Sequence, residues 1–155
     1  MMHRKPYRKP MVEGVYYSPS RDVVDHHRRY PDSEYFASKI EMRVYQHLLS
    51  FEDIKISRQY PLTIKDATGA YPKKVWRCDF RIQALGQPEL FMNIEAKGTL
   101  FLEKFKHQLQ YLDFFSPSEY QRLLIVSRDT FKIDEHNITR TPLEMMFILK
   151  EQGFK

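Results

Sequence analysis

The chain has 155 residues, 42% of them hydrophobic, which fits one domain with an ordinary core. Its single cysteine, Cys78, excludes an internal disulfide framework and a cysteine-based zinc cluster, and points to a reducing, cytoplasmic setting. The net charge of +5 is concentrated in the first ten residues, where Arg4, Lys5, Arg8 and Lys9 supply +4, and no apolar run approaches the roughly 18 residues of a membrane span.

Residues 1–31 hold prolines at 6, 10, 19 and 31, two RKP tripeptides and the run DHHRR. They read as a flexible basic arm ahead of one domain over residues 32–155. Such an arm adds sequence-independent affinity for phosphate, although a solvated terminus without a partner fits the same composition. Asp32/Ser33 reads as the cap of an amphipathic helix running to about Phe51. IKISRQYPLTIK, KKVWRCDFRIQAL and LFMNIEAK read as three strands, separated by the turn-like DATGAYP and GQPE. Gly98 interrupts the chain, and TLFLEKFKHQLQYLDFF places Phe101, Phe105, Leu109 and Leu112 at helical spacing. RLLIVSRD reads as a buried strand, and Thr141-Pro142 opens a last helix closed by Gly153. The resulting order, α-β-β-β-α-β, predicts an α/β fold with a mixed sheet and flanking helices.

Strand alternation puts Trp76, Cys78, Phe80 and Ile82 on one side of the second strand, with Arg77, Asp79 and Arg81 on the other. On the third strand Asn93, Glu95 and Lys97 share a side. A hairpin with a five-residue loop at residues 85–89 sets Ala84 against Leu90 and Asp79 against Glu95. Two opposed carboxylates repel unless a cation lies between them. On the first helix Phe36, Ile40, Val44, Tyr45 and Leu48 sweep one apolar arc, with Lys39, Met42, Arg43, Gln46 and His47 on the other side. Glu41 falls inside that apolar arc, where a carboxylate is costly unless paired, protonated or bound to metal. Glu41, Asp79 and Glu95 are therefore candidate ligands for Mg²⁺, or Mn²⁺ in its place, with Lys97 beside them to position water or stabilise negative charge. That is the chemistry of phosphodiester hydrolysis. A surface pair of Glu95 with Lys97, a solvated Asp79 and a Glu41 bonded to backbone are the structural alternatives.

A helix glutamate, a strand aspartate and Glu-x-Lys on the next strand resemble the pattern of the PD-(D/E)xK nuclease superfamily. The runs SKIEMRVYQHLL, SRQYPL, RCDFRI, NIEAKG and LEKFKHQLQYL, spanning about residues 33–115, are most similar to the endonuclease subunit of heteromeric cut-and-paste transposases and to related small phage nucleases. The resemblance implies a restriction-endonuclease-like core and a Mg²⁺-dependent endonuclease acting on DNA. It implies Glu41, Asp79, Glu95 and the Ala96 carbonyl as metal ligands, Lys97 as the catalytic lysine, and Gln59 as a polar neighbour of the site. Cys78 stands where the superfamily pattern has proline, and the nuclease domain is expected without a second, partner-binding domain, which departs from the transposase subunit.

Lys104 and Gln108, at i,i+4 on the second long helix, could track a phosphate backbone or simply face solvent. Two other functions stay open: a non-catalytic module binding DNA or a partner on the same fold, and a nuclease for RNA or for junctions and phage DNA ends. Homodimerisation, or partnership with recombination or phage proteins, fits a small nuclease that makes double-strand breaks.

Overall fold

The structure, a computed structural model, describes residues 15–18, 22–24, 34–65, 74–98 and 102–155. In chain order the elements are β1 (Val15–Ser18), β2 (Asp22–Val24), β3 (Glu34–Phe36), α1 (Lys39–Leu48), β4 (Ile54–Lys65), β5 (Lys74–Ala84), β6 (Gln87–Ala96), α2 (Leu102–Phe115), α3 (Pro117–Gln121), β7 (Leu123–Val126) and α4 (Pro142–Gln152). From α1 onward the order matches the predicted α-β-β-β-α-β, with α3 in the connector and α4 at the end.

Four strands form one sheet in the order β4-β5-β6-β7, antiparallel through β6 and parallel between β6 and β7. One apolar cluster joins Val44 and Leu48 of α1 and Met145 and Leu149 of α4 to Phe80, Ile82, Met92, Ile94, Leu124 and Val126 of the sheet. A second joins Phe105, Leu109 and Leu112 of α2 to Leu62, Trp76, Cys78 and Ile125. The sheet is thus a mixed layer between helices, and both of its faces are buried. Among the described residues no helix is long and apolar enough to cross a membrane.

Four local expectations are corrected. First, the leading helix starts at Lys39, not after Asp32/Ser33, which lie outside the described residues. The Ser38 hydroxyl accepts from the Glu41 amide at 3.2 Å and caps the helix. The aromatic-rich Glu34–Phe36 instead pairs with β1, and β2-β1-β3 forms a second, three-stranded sheet. Strands therefore occur within residues 15–24, where the sequence suggested only irregular chain. Second, Met42 is buried rather than on the polar side of α1, because α4 and β6 both pack against that helix.

Third, the β5–β6 turn has two residues, Leu85 and Gly86 (φ +79), in place of five. Ala84 pairs with Gln87, and a register shift follows. Beyond it Gln83 meets Phe91 and Phe80 meets Ile94, the register that aims Asp79 at Glu95 as expected. Glycine accommodates the left-handed turn that the tight connection requires.

Fourth, β5 does not keep its apolar residues on one side. Trp76 and Cys78 pack under α2, whereas Phe80 and Ile82 pack under α1 and α4. The neighbouring β4 makes the same change, from Ile54 and Ile56 to Tyr60 and Leu62. At the crossing point Gln59 has φ +51, a left-handed backbone that re-aims the side chains following it. Asp79 lies opposite that irregularity, between the two cores.

Candidate active site

The β5–β6 ladder ends at the pair Phe80 and Ile94, and beyond it side chains take over the backbone hydrogen bonding. The Asp79 amide donates to Glu95 Oε2 at 3.2 Å, and the Ala96 amide donates to Asp79 Oδ2 at 2.9 Å. Each acid is therefore seated by the other's strand. β6 turns its pairing to β7, with Glu95 beside Ile125 and Ala96 beside Val126. The Lys97 amide donates to the Val126 carbonyl at 2.8 Å, which fixes the root of the lysine. Its Nζ reaches Glu95 Oε1 at 3.4 Å and lies 4.7 Å from the centre of the Phe105 ring on α2. Gln59 Nε2 donates to Asp79 Oδ1 at 3.4 Å.

Glu41 approaches from α1 and is only 4% exposed. Its Oε1 accepts from Arg58 Nη2 at 3.3 Å, and that nitrogen also donates to the Tyr35 carbonyl at 2.8 Å. The Arg58 guanidinium stacks on Phe36, 3.9 Å from the ring centre. Arg58 Nε is buried without a hydrogen-bond partner, so this pairing leaves the cation incompletely satisfied.

The charge of Asp79 disfavours the charged forms of both Glu95 and Glu41. Burial, then the Asp79 charge, pushes Glu95 up to about 8, against the pull of Lys97. Burial raises Asp79 as well, opposed first by the Ala96 amide. Burial and then Asp79 raise Glu41, with Arg58 opposing. Burial also pushes the Cys78 thiol well up, as expected of a packed rather than a nucleophilic cysteine.

Of the candidates named from sequence, Asp79, Glu95, Ala96, Lys97 and Gln59 come together through direct contacts. Glu41 is coupled to them through the charge of Asp79, with its Oε1 taken by Arg58. Lys104 is exposed and Gln108 half-buried on α2. Arg4, Lys5, Arg8 and Lys9 lie outside the described residues. Among the described residues, no group of three or more His, Cys, Asp or Glu side chains stands ready to hold a metal ion. Arg58 was missed by sequence reading, although it adjoins Gln59 on a strand already selected. The signal was the need of a buried Glu41 for a cation.

No protein-family model, no curated protein and no solved structure matches this chain.

Proposed function

We propose that the chain is a divalent-metal-dependent endonuclease that hydrolyses phosphodiester bonds in DNA, on a restriction-endonuclease-like fold of the PD-(D/E)xK type. The observation that carries this reading is the reciprocal seating of Asp79 and Glu95 with the Lys97 ammonium 3.4 Å from Glu95. Structural ion pairs seldom set a second carboxylate against the buried one that the cation already meets.

The donor chemistry suits a hard divalent ion. Backbone amides orient Oε2 of Glu95 and Oδ2 of Asp79, while Oδ1 of Asp79 has only a long contact from Gln59. Asp79, Glu95 and the Ala96 carbonyl would hold such an ion, with Glu41 joining them once freed from Arg58. When bound, the ion supplies neutralisation of phosphate charge and a more acidic water.

The chain's own residues do the rest. Lys97 is placed to orient the attacking water by hydrogen bond and to stabilise negative charge on the phosphate oxygens. Gln59 steadies Asp79. Phe105 covers one side of the Lys97 ammonium and limits its access to bulk water. The bond from phosphorus to the leaving oxygen breaks as the water oxygen attaches. The attacking water releases a proton to solvent, and the leaving oxygen takes one up from solvent, so that one water is added across the broken bond.

The Arg58–Glu41 ion pair favours a second reading, a non-catalytic module that binds DNA or a partner with its acids closed by internal cations. Incubation with Mg²⁺ or Mn²⁺ and a panel of linear, nicked, flapped and four-way DNAs, with RNA alongside, separates the two. Cleavage abolished by Lys97→Ala, with folding kept, supports the nuclease. An intact panel under both ions, together with no calorimetric signal for either ion, overturns it.

A further inference from the structure

α2 carries a surface stripe that the chemistry above does not use. At about 100° per residue, Lys104, His107, Gln108, Tyr111, Phe114 and Phe115 fall within roughly one third of its circumference. Phe105, Leu109 and Leu112 occupy the buried side. Asp113 lies away from the stripe, and Glu103 at its edge is paired with Lys106 at 3.2 Å. Phe114 is 79% exposed, and Tyr111 and Phe115 are more than 40% exposed.

The rings are arranged. Tyr111 and Phe115 lie nearly parallel, 6.3 Å apart with 13° between planes, and Phe114 meets Phe115 edge-on at 4.8 Å. Lys74, at the start of β5, brings its ammonium 5.3 Å from the Tyr111 ring. Together with His107 and Gln110, the rings line an open cavity of about 340 Å³. Exposed aromatic faces with cations beside them are the surface on which unpaired nucleobases stack while their phosphates meet the positive charge.

The stripe and the candidate active site lie against opposite faces of α2. Phe105, on the buried side of its first turn, covers Lys97, and Phe114 lies about 13 Å further along the helix axis at 1.5 Å per residue and on the exposed face. A fully paired duplex offers no free base faces to such rings, whereas a flap, a frayed end or a gapped strand does.

We propose that the α2 stripe of Lys104, Tyr111, Phe114 and Phe115, with Lys74, binds unpaired DNA bases, so that the preferred substrate carries a single-stranded segment. The inference rests on the nuclease reading for the substrate it names but not for its binding. The occupant is nucleic acid rather than a second copy of the chain because Lys74 lies against the Tyr111 ring and Lys104 is exposed on the same stripe, with no acid on the stripe to meet them in a symmetric partner.

The test uses the full chain carrying Lys97→Ala, so that no substrate is consumed. Fluorescence anisotropy with a labelled oligothymidylate of about 12 nucleotides, a length within single-strand site sizes, is compared with a blunt duplex of equal length. Replacing Tyr111, Phe114 and Phe115 together by Ala should weaken single-strand binding at least tenfold and leave duplex binding within about twofold. Lys74→Ala with Lys104→Ala should flatten the salt dependence of single-strand binding. Equal affinity for both DNAs, or single-strand affinity unchanged by removing the rings, overturns the proposal. So does a concentration-dependent dimer that the ring substitutions dissolve without altering DNA affinity. Circular dichroism of the triple variant checks that α2 is intact, and Phe114→Trp, which keeps a stacking face, should restore most of the affinity if placed back alone with Tyr111 and Phe115. Cleavage of duplex and flap at equal rates would sink the stripe and spare the nuclease, whereas ring-dependent binding without cleavage of any substrate would do the reverse.

Discussion

Asp79 and Glu95 each accept a hydrogen bond from the other's strand, at 3.2 Å from the Asp79 amide to Glu95 and at 2.9 Å from the Ala96 amide to Asp79. The arrangement keeps two carboxylates adjacent at a position where their charges oppose folding. Four consequences can be measured.

Stability should fall as pH rises through the neutral range. Glu95 titrates near 8 in the folded chain against 4.5 when unfolded, and Asp79 and Glu41 are raised too. Between about 4.5 and 8 the native state holds protons that the unfolded state has released, so unfolding gains as protons become scarce. Thermal unfolding in EDTA should give a lower Tm at pH 8 than at pH 5.5. A Tm that rises across this interval would contradict the coupling.

Asp79→Asn should stabilise the protein while removing the proposed cleavage. The amide oxygen still accepts from the Ala96 amide, and the charge that raises Glu95 and Glu41 is gone. A gain of about 1 kcal/mol, or about 2–4 °C in Tm at pH 8, is expected. Cleavage should be lost. Calorimetry should no longer detect Mg²⁺.

Arg58→Met keeps apolar cover over Phe36 but strips Glu41 of its cation. A loss of about 2–4 kcal/mol at pH 8 follows from leaving a buried carboxylate unpaired. The loss should shrink at pH 5, where Glu41 can take a proton. Adding Glu41→Gln should recover most of it, as a double-mutant cycle by urea unfolding would register.

Gln59→Gly separates backbone from side chain. Glycine relieves the left-handed φ of +51 at a position where a side chain is strained, which is worth up to about 1 kcal/mol. It also deletes the contact to Asp79. Unchanged or higher Tm with cleavage several-fold slower is the expected pair of results.

The order of elements and the partnership of Asp79 with Glu95 were legible because both follow from strand periodicity and from apolar runs bounded by glycine. The misplacement of Glu41 on an apolar arc was equally readable, since burial of a lone carboxylate is costly wherever it occurs. The start of α1 was harder to read. Asp32/Ser33 and Ser38 are both acceptable caps, and only pairing of Glu34–Phe36 with β1 decides between them. The change of side along β5 was hidden because period-two reasoning assumes unbroken pleat. The left-handed residue beside it, on the neighbouring β4, is the glutamine Gln59, a type that carries no such signal. Arg58 escaped because its role depends on Phe36 and Tyr35, which the predicted helix had placed elsewhere.

The amine and the acids reach the centre by routes of different length. Asp79 and Glu95 are joined through a hairpin with a two-residue turn, whereas Lys97 is anchored to Val126 across the whole α2–α3 crossover. Hairpins close in microseconds, and a parallel pair separated by a crossover carries a larger closure entropy and forms more slowly. In a refolding chain Asp79 and Glu95 are therefore expected to meet early, and Lys97 to gain its anchor only when the final sheet strand docks. Recovery of the proposed cleavage should trail recovery of the antiparallel sheet.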